Sequence, residues 1–180
     1  MKVENTRLKD VFIITPEIFG DDRGFFLESW NSKNFRSAGL DINFVQDNTS
    51  RSSKGILRGL HFQTKNPQGK YVTVLKGKIF DVAVDLRKNS KTFGKHFSCI
   101  LSEFNFKSVY IPPGFAHGFM TLEKENYVLY GCTKYRSAKS EKSIKFNDKN
   151  LNIRWPFKKP ILSKRDKNAM DFKEYKNKNL

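Results

Sequence analysis

Short runs rich in Val, Ile, Phe and Tyr recur along the chain, each bounded by Gly, Pro or Asn. Such runs suit half-buried pleated strands better than helices. The pattern predicts strands over Val11–Thr15, Gly24–Trp30, Tyr71–Leu75, Ile79–Leu86, Phe97–Leu101, Ser108–Ile111, Phe115–Thr121 and Tyr127–Thr133. Within Ile79–Leu86 the alternation is partial, because Asp81 and Asp85 break into apolar company. Asn31–Ala38 reads as a helix with Phe35 as its core contact, and a second short helix begins near Asp166 or Asp171. Many short strands separated by turn signals predict an all-β sandwich or barrel with a few short peripheral helices.

Length narrows this to one domain over residues 1–180, large enough to bury a sizeable core. The 17 phenylalanines exclude a disordered chain. No run approaches the roughly 20 apolar residues of a membrane span. Met1-Lys2-Val3-Glu4-Asn5 lacks the apolar stretch of a secretory signal, so a cytoplasmic protein is expected. Cys99 and Cys132 are expected as reduced thiols rather than a disulfide. The net charge of +16 invites an anionic partner: nucleic acid, a membrane surface or a phosphorylated small molecule. Residues 133–180 hold 15 Lys and Arg against 5 Asp and Glu, scattered among Asn and Ser. That spread describes a solvated surface rather than a phosphate-reading stripe, and neither nucleic acid nor membrane is expected as a partner.

Candidate chemistry centres on two of the three histidines. His61 stands in Gly55-Ile56-Leu57-Arg58-Gly59-Leu60-His61-Phe62-Gln63. The glycines permit close backbone approach, and Arg58 offers a planar fork for a phosphate. These residues suit a pocket that holds an anion and moves a proton; spacing alone equally allows a core histidine beside a surface arginine. His117 stands in Pro112-Pro113-Gly114-Phe115-Ala116-His117, which resembles the second motif of the cupin superfamily, where a turn aims a histidine into the barrel. Metal-binding cupins draw two His and a Glu from their first motif. Here that region supplies only His61, too few ligands for a closed transition-metal site, so no metal or other cofactor is expected. His96 has no supporting pattern and reads as structural.

Further pieces make the resemblance specific. Asp22 through Glu28, Gln46-Asp47-Asn48, Gly55 through Gln63, Gln68 through Val72, Phe80 through Arg87, Pro113 through Phe119, Tyr130 through Tyr135 and Leu162 through Asp166 follow the order seen in the dTDP-4-dehydrorhamnose 3,5-epimerases. The chain resembles that family from about residue 8 to residue 172.

The resemblance implies a cupin-type β-barrel, a homodimer whose N-terminal strands cross to the partner, and an isomerase acting on a nucleotide-diphosphate sugar. It implies His61 as the base with Asp166 as its partner, Lys70 stabilising an enolate and Tyr130 as the acid. Tyr135 competes for that last role. Asp81 and His117 would support the pocket. Arg23, Gln46, Asn48 and Arg58 would bind the diphosphate and nucleotide, with Phe26 and Glu28 in the same region. A GDP-linked hexose or heptose substrate, inversion of carbon 3 alone, and a non-catalytic sugar-binding cupin remain as alternatives. Arg136-Ser137-Ala138-Lys139-Ser140-Glu141 departs from the Pro-Glu-His that often follows in the family, and Thr49 replaces a common His.

Overall fold

The computed structural model describes residues 1–178. Thirteen strands and three short helices follow in the order β1 (Lys2–Asn5), β2 (Phe12–Thr15), β3 (Ile18–Asp21), β4 (Gly24–Leu27), α1 (Ser32–Ser37), β5 (Gln46–Ser53), β6 (Leu57–Gln63), β7 (Lys70–Lys76), β8 (Lys78–Asp85), β9 (His96–Ser102), β10 (Ser108–Ile111), β11 (Phe115–Thr121), β12 (Glu125–Cys132), β13 (Glu141–Ser143), α2 (Lys164–Lys167) and α3 (Phe172–Asn177). Of the two large sheets, one has the order β1-β2-β10-β7-β12-β5 and the other β13-β6-β11-β8-β9, and β3 and β4 form a separate two-stranded sheet. Their named pairs are all antiparallel, so hairpins and longer returns connect them without crossover helices.

The principal core lies between the two sheets. Ile13, Val72, Val74, Val109, Ile111 and Val128 from the first meet Ile79, Ala83, Leu101, Phe115 and Phe119 from the second. Removing these side chains from water is the main force that closes the barrel. A second cluster, with Leu60, Phe62, Val82, Val84, Phe172 and Tyr175, fastens α3 to the back of the β6-side sheet.

Most of the predicted strands are present with ends shifted by a residue or two. Helix α1 is capped by Asn31, whose side chain accepts from the Lys33 and Asn34 amides, and it buries Phe35. Both candidate starts of a second helix are used: Asp166 lies in α2 and Asp171 is the N-cap of α3. Gly24–Trp30 needs correction, because the strand stops at Leu27. It pairs only with β3, and Phe25 and Phe26 are 61% and 68% exposed. Their apolar character therefore does not mark a place in this chain's own core. Strand β5 reads Gln-Asp-Asn-Thr-Ser-Arg-Ser-Ser, with no apolar residue for the pattern to detect. Its eight residues are nevertheless matched one for one with β12. Leu57–Gln63, identified from sequence only by its chemistry, is strand β6.

Candidate active site

Strand β6 carries His61 between two neighbours. His61 lies opposite His117 of β11 on one side and opposite Ser143 of β13 on the other. Gly59 makes the first approach possible. Its φ is +128°, and a Cβ there would meet the Gly118 backbone and stand 2.7 Å from the His117 carbonyl oxygen. No other residue type tolerates that conformation and that contact together.

Each histidine has its own carboxylate. His61 Nε2 lies 2.6 Å from Asp166 Oδ1, and His117 Nε2 lies 2.8 Å from Asp81 Oδ2. Asp166 is presented by α2. Ser163 caps that helix through its hydroxyl, which accepts from the Asp166 amide at 3.1 Å and donates to Asp166 Oδ2 at 2.9 Å. Burial pushes the Asp166 carboxyl up, but the His61 bond and the Ser163 hydroxyl bring it below the ordinary carboxylate value. The second pair is deeper. Burial pulls His117 below the ordinary histidine value, against the opposing pull of Asp81, which favours a neutral imidazole.

His61 and Lys70 line one cavity of about 160 Å³ together with Gln63, Gln68, Phe115 and Glu141. Lys70 Nζ stands 5.9 Å from the centre of the Tyr130 ring. Lys70 has no ion-pair partner among the described residues, and its burial lowers its pKa from the ordinary lysine value. Tyr130 is half-buried against the barrel core, and burial raises its phenol above the ordinary value. The nearby Arg58 and Arg136 charges oppose that rise. Tyr135, by contrast, is 72% exposed.

The remaining sequence-predicted residues divide into two groups. Gln46 and Asn48 lie on β5 opposite Cys132 and Tyr130 of β12. Gln46 Nε2 donates to Asn48 Oδ1 at 2.8 Å, and Asn48 Nδ2 donates to the Cys132 thiol at 3.4 Å. Arg58 donates to the Ser52 hydroxyl from Nε and Nη2. Arg23, Phe26 and Glu28 lie elsewhere. They belong to the exposed β3–β4 hairpin or its exit, and none lines the cavity of His61 and Lys70. Arg23 pairs with Asp21 of its own hairpin, while Glu28 accepts from Asn31 and Asn34.

Sequence reasoning missed Glu141. It lines the cavity, and its Oε2 accepts from Arg136 at 2.8 Å and Arg165 at 2.7 Å. Only the pairing of β13 with β6 brings Glu141 to this wall, opposite Gln63, and no local spacing announces it. Cys99 and Cys132 are both free thiols. Half-buried His96 offers its carbonyl oxygen to Arg7 at the outer edge of β9. Among the described residues no group of three or more His, Cys, Asp or Glu is placed to hold a metal ion, and no helix is long and apolar enough to cross a membrane.

The family description "dTDP-4-dehydrorhamnose 3,5-epimerase" matches residues 5–174. The chain belongs to this family of isomerases. It is 48% identical over 174 residues to the dTDP-4-dehydrorhamnose 3,5-epimerase of Shigella flexneri, covering 96% of each chain. Among solved structures, it matches the dTDP-6-deoxy-D-glucose-3,5-epimerase of Legionella pneumophila in complex with dTDP-4-keto-L-rhamnose. That match has TM-score 0.92 and 46% identity, covering 94% of this chain and 92% of the other. A 3'-monoepimerase of Streptomyces bikiniensis in complex with dTDP-quinovose is more distant, at 31% identity and TM-score 0.87 over 92% and 85% of the two chains. The barrel is accordingly of the cupin type shared by these epimerases.

Proposed function

We propose that the protein inverts carbons 3 and 5 of dTDP-4-dehydro-6-deoxyglucose, as a step toward a sugar of cell-surface polysaccharide. The observation that carries this reading is the cavity shared by His61, already paired with Asp166, and the half-buried Lys70 beside Tyr130. A keto group at carbon 4 acidifies the hydrogens on carbons 3 and 5. His61 takes one of them as a proton, and the C–H electron pair moves into the C4 carbonyl to form an enolate. Lys70 stabilises that oxygen. Tyr130 returns a proton to the opposite face of the same carbon, and His61 and Tyr130 then reset by exchange with water. Tyr130 is preferred to Tyr135 because its ring lies beside Lys70 whereas Tyr135 faces solvent. Asp81 holds His117 on the neighbouring strand and supports this wall of the pocket.

The nucleotide and diphosphate are assigned to Gln46, Asn48 and Arg58, with Arg23, Phe26 and Glu28 contributed by a second copy. The exposed β3–β4 hairpin supports that arrangement, since its apolar residues have no place in the core of their own chain. A homodimer, one catalytic domain spanning the chain and a cytoplasmic location complete the reading. The proposed steps use no metal: His61 supplies the base, Lys70 the charge that stabilises the enolate oxygen and Tyr130 the acid.

Proton NMR in deuterated water, with dTDP- and GDP-linked 4-keto-6-deoxy sugars offered in parallel, tests the assignment. Deuterium at carbons 3 and 5 with inversion of both, for the dTDP sugar and insensitive to a chelator, is expected. Inversion of carbon 3 alone, preference for GDP, or loss of activity with the chelator restored by one divalent metal would each overturn the corresponding part.

A further inference from the structure

Arg136, in the segment after Tyr135, makes two connections at once. Its main-chain amide donates to Gln46 Oε1 at 2.9 Å. Its guanidinium donates to Glu141 Oε2 from Nε at 3.0 Å and from Nη2 at 2.8 Å. The first contact begins a chain of side-chain bonds that continues from Gln46 to Asn48 and from Asn48 to Cys132, which lies opposite Lys70 on β7. The second ends on a carboxylate that also receives Arg165 at 2.7 Å. Arg165 is the residue before Asp166 in α2, and Asp166 holds His61.

We propose that Arg136 is a positioning residue that couples the nucleotide-facing side of β5 to helix α2, and so fixes Asp166 against His61. The coupling rests on the epimerase reading only for its consequence in turnover.

Two features make it more than a surface ion pair. Glu141 has a side chain only 14% exposed, so its carboxylate depends on its two arginines rather than on water. Burial pushes this carboxyl up, and the Arg165 and Arg136 bonds hold it below the ordinary value. Helix α2 is also a single turn, too short to hold itself in place by its own hydrogen bonds. Backbone bridges of Ile161 to Ile56 and of Met170 to Ile144 tie down the chain on either side of it, and within the turn the side-chain anchors are the Ser163 cap, the His61 bond and Arg165, which reaches Glu141 and the Lys142 carbonyl oxygen. Without Arg136, Glu141 retains Arg165 as its one charged partner, and Arg165 keeps the Lys142 carbonyl oxygen but loses a carboxylate held in place from its other side. The Gln46 amide keeps its contact with the main chain only while the 136–141 loop stays in place.

The test uses the whole protein and two variants. Arg136→Met keeps the apolar stem but removes the fork; Arg136→Lys keeps the charge with a single point of contact. The first measurement needs no substrate. The ring proton between His61 and Asp166 is followed by proton NMR and assigned by its disappearance in Asp166→Asn. It should be sharp and slow to exchange in the parent, broadened or lost in Arg136→Met, and partly restored in Arg136→Lys, with the rest of the spectrum unchanged. The second measurement is turnover of dTDP-4-dehydro-6-deoxyglucose. Arg136→Met should lower kcat on the order of tenfold, the cost of a small misplacement of the base, and Arg136→Lys should recover part of it. An unaltered ring proton in Arg136→Met, or a loss of signals throughout the spectrum, would overturn the coupling. A responding ring proton in a protein that turns over no dTDP sugar would uphold the coupling and sink the substrate assignment instead.

Discussion

His61 Nε2 and Asp166 Oδ1 lie 2.6 Å apart although 105 positions separate them in the chain. A bond this short between imidazole and carboxylate fixes the ring's orientation and tautomer, the role of the third group in nucleophile triads. Asp166→Asn retains shape but loses the charge that favours the imidazolium formed when His61 takes a proton. We expect kcat to fall by up to about 10⁴-fold, the loss seen when the carboxylate of a nucleophile triad is made an amide. KM should change little, since Asp166 is not among the residues assigned to the nucleotide. Steady-state kinetics checks this, and a kcat near that of the parent would reduce the pair to a structural contact.

We expect Lys70 to set the alkaline side of activity. Burial lowers its pKa from the ordinary lysine value, so the ammonium is lost earlier than a surface lysine would lose it as pH rises. The Tyr130 phenol moves the other way, upward through burial. The rate should therefore decline on the alkaline side at a pH below the ordinary lysine value, with Lys70 as the group responsible. Lys70→Met should lose on the order of 10²- to 10³-fold in kcat, the scale for removing one donor from a developing oxyanion. Its remaining activity should lack that alkaline decline; a profile of unchanged shape would assign the decline to another group.

We expect substitution of Tyr130 to separate proton removal from inversion. A proton returned by His61 would restore the starting sugar, so inversion needs a donor on the opposite face. A phenol raised by burial is neutral at working pH and donates without charging the pocket beforehand. Tyr130→Phe retains the ring beside Lys70 and removes the proton. Deuterium should still enter at the reacting carbons while inverted product falls much further than exchange does. Proton NMR reads both quantities in one sample, and normal inversion of both carbons would transfer the role to Tyr135 or to water.

Asp85 is an acid-sensitive part of the fold. It is fully buried, and burial alone would raise its pKa; donation from Arg87, Ser90 and Thr92 brings it instead to about 2. A carboxylate with a depressed folded pKa adds stability above its unfolded value and loses it as pH falls through the folded one. The relevant window runs from the ordinary value of 3.8 down to about 2. A shift of this size corresponds to about 2 kcal/mol at neutral pH. Asp85→Asn should lower the urea midpoint at pH 7 and flatten its fall as acid is added below about pH 5. An acid dependence as steep as in the parent would show that another carboxylate carries it.

The sequence was most legible where the chain buries apolar side chains. Strands β8 and β11 lie within a residue of their predicted ends because both faces or one whole face are covered. It was silent where burial does not decide. Strand β5 is a polar edge held by its ladder to β12, and β13 has three residues. Within the site, His61 and Arg58 stood out by local spacing. Asp166 lies among Lys164, Arg165 and Lys167, and only the family resemblance distinguished it from a surface acid. Glu141 was invisible because its meaning comes from two arginines, one of them 24 positions away, and from the wall it completes.

The position of the β3–β4 hairpin yields a prediction about assembly. Arg23, Phe26 and Glu28 do not approach the cavity of His61 and Lys70 in their own chain. If the hairpin serves the partner, each site takes its base from one copy and Arg23 from the other. A His61→Asn homodimer is then inactive for want of a base, and an Arg23→Met homodimer is impaired for want of a phosphate contact. In a mixed dimer, one site inherits both defects. The other combines the intact base of the Arg23→Met chain with the intact hairpin of the His61→Asn chain. Denaturing the two variants together in equal amounts and refolding them should give mixed dimers as half of the population. At substrate concentrations low enough for the Arg23→Met defect to show, mixed dimers should then contribute roughly a quarter of the parent's activity, above the mean of the two variants, by the statistics of a two-fold assembly. Sites built within one chain would give no gain on mixing, because every site would still carry one defect. The kinetic assay, with light scattering to count chains per particle, distinguishes the two cases.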